Sequence, residues 1–429
     1  MSTPTPRSPL AAAEIIAVGS ELLGWTRVDS NSLFITERLS QLGIEVKAKA
    51  VVGDDRAWLR RVFMQSFERA DLVILTGGLG PTDDDLTREV VADALARPLH
   101  EDESITAQIE ERFARRGLRM PQVNRRQAMV PLGATVLPNA HGTAPGLALE
   151  ANGKIVVLLP GPPREMRAIF ESLCDGGIVA GRAGRERIYK VSLFTTQRSE
   201  SHVEETVQPI YSAWRTETPP IETTILATPG QIELHLTTRS ADADAARDRL
   251  ERARAQLVQA LGDCVFATDG RTLPRLVGDL LRERGLTLAA AESCTGGLLM
   301  QRLTDLPGSS DYVAGGVVAY SNTVKIKLLG VDGALIEAHG AVSEPVAAAM
   351  ADGAREQTGA DVCVAITGVA GPGGGTPAKP VGTVVIAVRM PAGPVIVRTF
   401  SFPGSREHVR FQSTQAALDI VRRQLLLKN

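Results

Sequence analysis

The sequence of 429 residues predicts an α/β protein in which two strand-and-helix regions flank a small α+β segment. Residues 12–175 alternate short apolar runs with stretches of helical periodicity, a pattern typical of a parallel sheet covered by helices. Residues 270–429 show the same alternation. Between them, residues 188–267 combine one strictly alternating run with one long helical stretch. Three domains with these boundaries are therefore predicted.

The N-terminal elements are predicted from apolar spacing. The first strand is the run Glu14–Val18, which ends at a glycine. Residues 31–42 follow with helical spacing of their apolar side chains, and residues 71–78 form another buried strand. A later strand at 155–161 leads into a helix with Pro163 in its first turn, where proline is favoured. This order predicts a parallel sheet.

The middle and C-terminal elements are predicted from the same periodicities. Residues 231–239 alternate apolar and polar side chains and predict a half-buried strand. The third region opens with a helix after residue 272 and a strand at 287–293. Its other strand candidates are residues 312–321, 360–368, 382–390 and 394–402. A final helix is predicted at about 405–427.

Composition and charge exclude several classes of protein. The formal net charge is −2 and the pI is near 6.4, a balance that favours neither nucleic acid nor a membrane surface as a partner. No apolar run approaches the length of a transmembrane helix. The four cysteines are far apart and form no CxxC pair, so no disulfide framework or structural zinc site is expected and a reducing cytoplasm fits.

One glycine-rich motif, TGGLGPTDDDLT at 76–87, lies where a strand should give way to a helix. Ligands of open α/β sheets bind at such junctions. The backbone at Gly77, Gly78 and Gly80 could approach a phosphate closely. The acidic run Asp83–Asp85 could hold a hard divalent cation that bridges a pyrophosphate. The alternative is a tight glycine turn before an acidic helix start, which the helix dipole favours.

A second motif, AESCTGG at 291–297, lies at another strand-to-helix junction. Ser293 would sit at the end of the strand. The N–H groups of Thr295, Gly296 and Gly297 would lie at a helix N-terminus, in position for an oxyanion or a phosphate. The alternative is that Ser293 and Thr295 only cap the helix.

A polar turn after a later strand offers a base for that serine. It carries Tyr320, Asn322, Lys325 and Lys327. A serine hydroxyl needs a base to become a nucleophile, and a lysine can serve when burial or a neighbouring cation keeps it neutral. Either lysine could take this role, with Tyr320 relaying the proton. The alternative is two solvated lysines and a tyrosine at the edge of the core.

A third candidate is the long loop at 365–383, which is rich in glycine and proline. Loops of this length in compact domains tend to be functional or mobile. Four glycines could wrap a phosphate or a ribose: Gly371, Gly373, Gly374 and Gly375. The alternative is a flexible connection between two strands.

At this point the motifs resemble a known family along nearly the whole chain. AEIIAVGSELL, VDSNS, GGLGPTDDDLT, NRRQA, HGTAPG and LPGPPREM resemble the N-terminal domain of the CinA family, which is related to the molybdopterin-binding MoaB and MogA proteins. AESCTGG, YSNTVKIKLLGV, GAVSEPV, TGVAGPGGG, KPVGTV and FPGSR resemble the C-terminal CinA domain, which the stand-alone deamidase PncC shares. The resemblance implies a MoaB/MogA-like parallel-sheet domain, a small middle domain and a PncC-like α/β domain.

The resemblance implies that the C-terminal domain converts nicotinamide mononucleotide (NMN) to nicotinate mononucleotide and ammonia, in pyridine nucleotide recycling and without a cofactor. The family's catalytic serine, tyrosine and lysine fall on Ser293, Tyr320 and Lys325, a match that selects Lys325 over Lys327. The substrate-binding residues implied in the same way are Thr295, Gly296, Gly297, Asn322, Thr367, Gly368, Gly371, Gly373 and Gly374.

For some members, the N-terminal domain is a metal-dependent ADP-ribose pyrophosphatase. The resemblance implies a divalent metal cation held by Asp84 and Asp85. It also implies a phosphate-binding set of Gly77, Gly78, Gly80, Thr82 and Asn31. The chain departs from the family pattern at Trp25, four residues after Glu21, where a glycine is usual.

The expected partners are small nucleotides, namely NMN and ADP-ribose, with no nucleic acid and no membrane. A cytoplasmic homo-oligomer is expected. Two other functions remain open at this stage: a module that binds molybdopterin or a nucleotide without hydrolysing it, and a competence-related interaction protein. The nearly neutral charge and the lack of a membrane segment give the second no support.

Overall fold

A computed structural model describes residues Pro9–Leu427, so the last two residues of the predicted C-terminal domain lie outside the described range. The chain forms two compact units. The first runs to Tyr189 and includes Thr238–Arg247, whereas the second comprises Lys190–Thr237 and the chain from Asp248 onward. Within the described range, no helix is both long and apolar enough to cross a membrane.

The first unit carries eight strands and five α-helices within its described residues. In chain order they are β1 (Ala12–Val18), α1 (Asn31–Gln41), β2 (Glu45–Val52), α2 (Arg56–Arg69), β3 (Leu72–Thr76), α3 (Thr87–Ala94), β4 (Leu99–Glu101), α4 (Glu103–Ala114), β5 (Met129–Pro131), β6 (Thr135–Leu137), β7 (Gly146–Ala151), β8 (Lys154–Leu159) and α5 (Pro163–Asp175).

The main sheet of this unit has the strand order β2-β1-β3-β8-β7-β6. The first four strands are parallel, which confirms the predicted α/β class, whereas β7 is antiparallel to both of its neighbours, β8 and β6. The reversal at β7–β8 comes from the two-residue turn Asn152–Gly153, where both residues have positive φ angles of 53° and 76°. Asn-Gly is the preferred pair for such a hairpin turn.

Apolar side chains cover both faces of this sheet. One cluster packs Leu59 and Phe63 of α2 and Val90 of α3 against the sheet, and a second packs α1 and α5 against the opposite face. Strands β1, β3 and β8 therefore lie between two helical layers, and their carboxyl ends open onto one edge of the sheet. Their next residues, at that edge, are Gly19, Gly77 and Pro160.

From β9 onward the described chain has nine strands and eight α-helices. They are β9 (Arg187–Thr195), α6 (Glu200–Trp214), β10 (Glu222–Thr228), β11 (Gln231–Ser240), α7 (Ala243–Leu261), β12 (Val265–Ala267), α8 (Leu273–Glu283), β13 (Leu288–Glu292), α9 (Leu298–Thr304), β14 (Val313–Val318), α10 (Asn322–Leu329), α11 (Gly333–His339), α12 (Glu344–Thr358), β15 (Val362–Gly368), β16 (Thr383–Arg389), β17 (Ile396–Ser401) and α13 (Arg406–Leu426).

These strands form two sheets, ordered β10-β11-β9-β12 and β14-β13-β15-β16-β17. In the second sheet β13 is parallel to both of its neighbours, β14 and β15. Strand β16 is antiparallel to β15, and β17 is antiparallel to β16. Helices α8, α9 and α13 contribute to the apolar cluster on one face, and α12 contributes to the cluster on the other. The carboxyl ends of the three parallel strands therefore meet at one edge, with β13 in the centre.

Candidate active site

Ser293 follows directly after the central strand β13. Its backbone N–H donates to the carbonyl oxygen of Ile366 on β15 at 2.9 Å, which extends the sheet pairing by one residue. The chain then turns through residues 294–297 into α9. Only 9% of Ser293 is exposed, so this side chain is buried at the junction of strand and helix.

Lys325 reaches this hydroxyl from helix α10. The Ser321 side chain caps that helix by accepting from the backbone N–H of Val324. One turn into the helix, Lys325 is 1% exposed, and its Nζ lies 2.9 Å from Ser293 Oγ and 2.7 Å from the Ala319 carbonyl oxygen. The structure therefore brings together two predicted residues that are 32 positions apart in the sequence.

Burial favours the neutral form of the Lys325 amine, which is the form that can accept a proton. Desolvation, the largest influence, lowers the pKa of Lys325 from its usual value. None of the ion pairs formed by the described residues includes this lysine, so no carboxylate counters the effect. A neutral amine can donate one N–H to Ala319 and accept the serine proton with its lone pair. Lys327 is exposed and lacks this environment.

Cys294, the adjacent thiol, is unsuited to act as the nucleophile. Burial raises the pKa of Cys294 to about 11, which leaves little thiolate at neutral pH. The thiol lies within the apolar cluster on the α8, α9 and α13 face of the sheet. The structure thus favours Ser293 as the reactive side chain of the AESCTGG motif.

A buried carboxylate shapes the turn that follows Ser293. Glu292 accepts backbone hydrogen bonds from Gly297 at 3.1 Å, Leu299 at 3.0 Å and Met300 at 2.9 Å. This side chain occupies donors at the start of α9, where the helix dipole favours negative charge. Sequence reasoning did not assign Glu292 a role, although its place immediately before the serine in AES was a signal.

The hydrogen bonds within this turn determine which of its backbone N–H groups are free to bind an oxyanion. The N–H of Gly297 is taken by Glu292, and that of Gly296 donates to the Ser293 carbonyl at 3.1 Å. Within the described chain, the N–H groups of Cys294 and Thr295 have no acceptor. They follow Ser293 directly, and the residue after a nucleophilic serine is a usual source of oxyanion donors. The Thr295 hydroxyl is also buried without a partner.

Tyr320 lies at the outer side of the site. It is 61% exposed, and its hydroxyl accepts from Arg406 Nη2 at 2.9 Å. The same guanidinium donates to the Gly371 carbonyl at 2.8 Å. Arg406 therefore joins the tyrosine to the glycine-rich loop, and the contact between Lys325 and Ser293 is direct, with no tyrosine between them. Arg406 belongs to the FPGSR motif but had no predicted role.

The other predicted substrate-binding residues fall into two groups. The Thr367 hydroxyl is buried and donates to the Ala341 carbonyl at 2.8 Å, which holds the end of β15 in place. Gly368 is the last residue of β15. Asn322 is exposed on α10, and Gly373 and Gly374 are exposed on the loop after β15.

Positive charge from α13 reaches the turn that follows Ser293. Arg410 donates to the Thr295 carbonyl from both Nε, at 3.1 Å, and Nη2, at 2.6 Å. Arg406 and Arg410 also line an open cavity of about 680 Å³, together with Leu298 and Phe411. Ser293 and Lys325 do not line this cavity, and the arginines connect to their surroundings through Tyr320 and the Thr295 carbonyl.

The N-terminal motif forms a separate cavity of about 600 Å³ at the carboxyl ends of β1, β3 and β8. It is lined by six of the seven residues predicted for this domain, namely Asn31, Gly77, Gly78, Gly80, Asp84 and Asp85. The seventh, Thr82, holds Asp85 instead, because its N–H and hydroxyl both donate to the Asp85 carboxylate at 2.9 Å and 2.5 Å.

This cavity has unused hydrogen-bonding groups. Asn31 donates through Nδ2 to the Gly161 carbonyl at 2.8 Å, but its buried Oδ1 has no partner. The backbone N–H groups of Gly78 and Gly80 have no acceptor among the described residues. Arg88, buried beside the glycine turn, donates to the Leu79 carbonyl at 2.9 Å and so fixes the path of that turn.

The wall of the cavity is strongly acidic. It contains six carboxylates and, as its one cationic side chain within the described lining, Arg27. Sequence reasoning missed four of the six: Glu21, Asp29, Asp54 and Glu165. The pKa of the Asp84 carboxyl is lowered, chiefly by the neighbouring Thr82 side chain. In the described chain, no three acidic, histidine or cysteine side chains cluster closely enough to bind a metal unaided.

Comparison with known proteins gives matches at both ends of the chain. The CinA C-terminal domain matches residues 270–425, and a probable molybdopterin binding domain matches residues 14–176. A putative competence-damage inducible protein of Symbiobacterium thermophilum is 46% identical, over 96% of this chain and 99% of its own length. A CinA-like protein of Koribacter versatilis is 45% identical, over 96% of this chain and 100% of its own. The crystal structure of the competence/damage inducible protein CihA from Agrobacterium tumefaciens is 38% identical over 36% of this chain and 94% of its own, with a TM-score of 0.35.

Proposed function

We propose that this chain, which belongs to the CinA family, hydrolyses the carboxamide of NMN to give nicotinate mononucleotide and ammonia. The observation that carries the proposal is the buried contact of 2.9 Å between Lys325 Nζ and Ser293 Oγ. A lysine held without a carboxylate beside a serine is a recognised alternative to histidine as the general base.

In the first half of the reaction, Ser293 Oγ attacks the carboxamide carbon of nicotinamide. Lys325, neutral before the attack, takes the hydroxyl proton directly. The carbonyl oxygen becomes an oxyanion, and the free N–H groups of Cys294 and Thr295 are in position to stabilise it. Since Glu292 fixes the turn that carries these groups, they need little reorganisation when charge develops.

In the second half, the protonated Lys325 gives its proton to the leaving nitrogen, and ammonia departs as the carbon–nitrogen bond breaks. A water molecule then attacks the acyl-enzyme, loses a proton to the neutral lysine, and releases nicotinate as Ser293 recovers its hydroxyl proton. The net change is amide plus water to carboxylic acid plus ammonia. No step requires a cofactor.

The arginines of α13 support a phosphorylated substrate. The Arg406 guanidinium lies at the outer side of the site, between Tyr320 and the glycine-rich loop, and Arg410 lies at the catalytic turn. Guanidinium groups bind phosphate in a bidentate manner. We place the 5′-phosphate of the nucleotide toward Arg406 and the pyridine ring toward Ser293, with Tyr320 as an outer contact rather than a proton relay.

The direct test is ammonia release from NMN by the full-length protein, followed by a coupled enzymatic assay. We expect turnover by the wild-type protein and none above background by Ser293→Ala. Nicotinamide riboside, which lacks the phosphate, should be a much poorer substrate because it cannot engage the arginines. A wild-type protein that binds NMN but releases no ammonia would refute the amidase.

The acidic cavity favours a second function for the N-terminal domain, the hydrolysis of the pyrophosphate of ADP-ribose. The supporting observations are the free N–H groups of the glycine turn and the unpartnered Oδ1 of Asn31. Six carboxylates would repel a pyrophosphate unless cations were bound with it. The residues fit a hard divalent cation, which typically uses one or two carboxylates together with phosphate oxygens.

Asp84 and Asp85 would hold this cation beside the glycine turn. When bound, it would neutralise the phosphate charge and polarise the phosphorus–oxygen bond. Incubation with ADP-ribose and Mg²⁺ should release AMP and ribose 5-phosphate, which chromatography separates. If the protein binds ADP-ribose but leaves it intact, the cavity belongs to a binding module instead.

A further inference from the structure

An exposed tryptophan lies on the loop beside the N-terminal cavity. Trp25 is 97% exposed, the largest fraction for any large apolar side chain of the described residues. On the same loop, Leu23 is 62% and Val28 is 84% exposed. Single exposed apolar residues need no explanation, but a group of three within six residues marks a candidate binding surface.

This loop forms part of the cavity rim. Leu22, before it, and Arg27 and Val28, after Trp25, line the cavity. Within the described part of the chain, residues 24–28 make no backbone hydrogen bond, and the Arg27 guanidinium forms no ion pair. No such contact therefore holds the indole in its outward position. A change of backbone angles at Gly24 would turn it toward the mouth of the cavity.

The inner part of the cavity is suited to phosphate, which leaves the outer part for the rest of a ligand. The unused N–H groups belong to Gly78 and Gly80, at the carboxyl end of β3. A nucleotide with its phosphates at this turn would extend its base outward. The rim near Trp25 offers the flat apolar surface that a base requires, since an indole is a good stacking partner for any base.

We propose that Trp25 folds over the mouth of the N-terminal cavity and stacks on the base of the bound nucleotide. The proposal rests on the nucleotide function proposed above for this cavity. It makes Trp25 a residue that determines specificity: ligands with a base gain affinity from it, and ligands with only the phosphates do not.

The test compares two ligands, α,β-methylene-ADP and methylene diphosphonate. Both contain an uncleavable P–C–P group, but only the first carries adenosine. Calorimetry with the full-length protein and Mg²⁺ gives both affinities. Trp25→Ala should weaken α,β-methylene-ADP binding by roughly tenfold and leave methylene diphosphonate binding within about twofold. Trp25→Phe should retain most of the affinity. Trp58→Ala, which removes another exposed tryptophan, should change neither affinity.

Tryptophan fluorescence provides a second readout. Addition of α,β-methylene-ADP should quench the emission of the wild-type protein, and the quenching should be absent in Trp25→Ala. If Trp25→Ala weakens the binding of both ligands equally, or weakens the binding of neither, the stacking role is wrong. If neither ligand binds the wild-type protein, the nucleotide function of the cavity fails as well. If Trp25→Ala alters only the oligomeric state in sedimentation, the loop is a protein-contact surface and the proposal is wrong.

Discussion

The amine of Lys325 lies 2.9 Å from the hydroxyl of Ser293, and both side chains are buried. The two residues lie in the segments that follow adjacent parallel strands: Ser293 comes directly after β13, and Lys325 lies on α10 after β14. The sheet therefore fixes the separation of these two side chains. A nucleophile and base held in this way pay little entropy to reach the reactive geometry.

The first prediction separates the two candidate nucleophiles. Ser293→Ala should lower kcat for NMN by at least about 10³-fold, with NMN binding reduced only slightly, because the hydroxyl acts mainly in the transition state. Cys294→Ala should remain within a few-fold of wild type, since burial raises the thiol pKa to about 11. Steady-state kinetics and calorimetry measure the two effects. An active Ser293→Ala beside a dead Cys294→Ala would reverse the assignment.

The second prediction concerns the base. Lys325→Arg should be inactive, because a guanidinium stays protonated and cannot accept the serine proton. Lys327→Ala should keep most of the activity, since that side chain is exposed. In the wild-type protein, kcat/KM should rise with pH as Lys325 loses its proton, and its lowered pKa puts the midpoint below 10.5.

The pH profile of kcat/KM between pH 6 and 11 measures this midpoint, with Lys327→Ala as the matched control. That variant should show the same midpoint as the wild type. A rise centred at or above the pKa of a free lysine, about 10.4, would argue against Lys325 as the base.

The third prediction concerns Glu292, a positioning residue. Glu292→Gln replaces a carboxylate that accepts three N–H groups with an amide that presents a donor to one of them. Hydrogen bonds to a charged group contribute about 1.5–3 kcal/mol, so we expect a lower Tm and a kcat reduced roughly 10- to 100-fold with little change in KM. Glu283→Gln, on the exposed end of α8, is the control. Unchanged kcat together with a lower Tm would restrict Glu292 to a structural role.

The fourth prediction concerns modularity. A fragment of residues 268–429 retains every catalytic residue and should hydrolyse NMN. It lacks Phe266, which packs in the C-terminal core, and the carbonyls of Asp263 and Val265, which accept from buried Arg422. Loss of a buried phenylalanine costs about 3–5 kcal/mol, so its Tm should fall by roughly 10 °C compared with a fragment of residues 188–429. Equal Tm values for the two fragments would contradict this account.

The fifth prediction separates the two activities. A chelator should abolish ADP-ribose cleavage and leave NMN deamidation unchanged, because only the first is proposed to use a cation. Asp84→Asn should have the same selective effect. Asp83→Asn should reduce ADP-ribose cleavage only slightly, since Asp83 points outward and pairs with Arg126 at 3.0 Å. Loss of both activities on chelation would show that the two functions are not independent.

The order of the elements and the location of the motifs could be read from the sequence, because periodicity is a local property. The buried runs at β1, β3, β8 and β13 were predicted as strands, and the α/β class is confirmed. The antiparallel strands beside β8 were not predicted, although the Asn152–Gly153 pair was a local signal for that hairpin.

The roles of single residues depended on more than local pattern. Spacing alone left Lys325 and Lys327 as equal candidates for the base. Burial distinguishes them, because Lys325 lies inside beside Ser293 and Lys327 lies on the surface. No local pattern in the sequence predicted the contact between Arg406 and Tyr320, which is 86 positions away.

The sequence by itself therefore determined the fold class and the junctions where strands end in polar, glycine-rich turns. Only the tertiary structure decided which side chains meet at those junctions: Lys325 with Ser293, Glu292 with the start of α9, and six carboxylates in one cavity. The reason is physical. Hydrophobic periodicity specifies one element at a time, whereas the parallel pairing of strands brings the ends of distant elements to one edge, where burial and hydrogen bonding then set their chemistry.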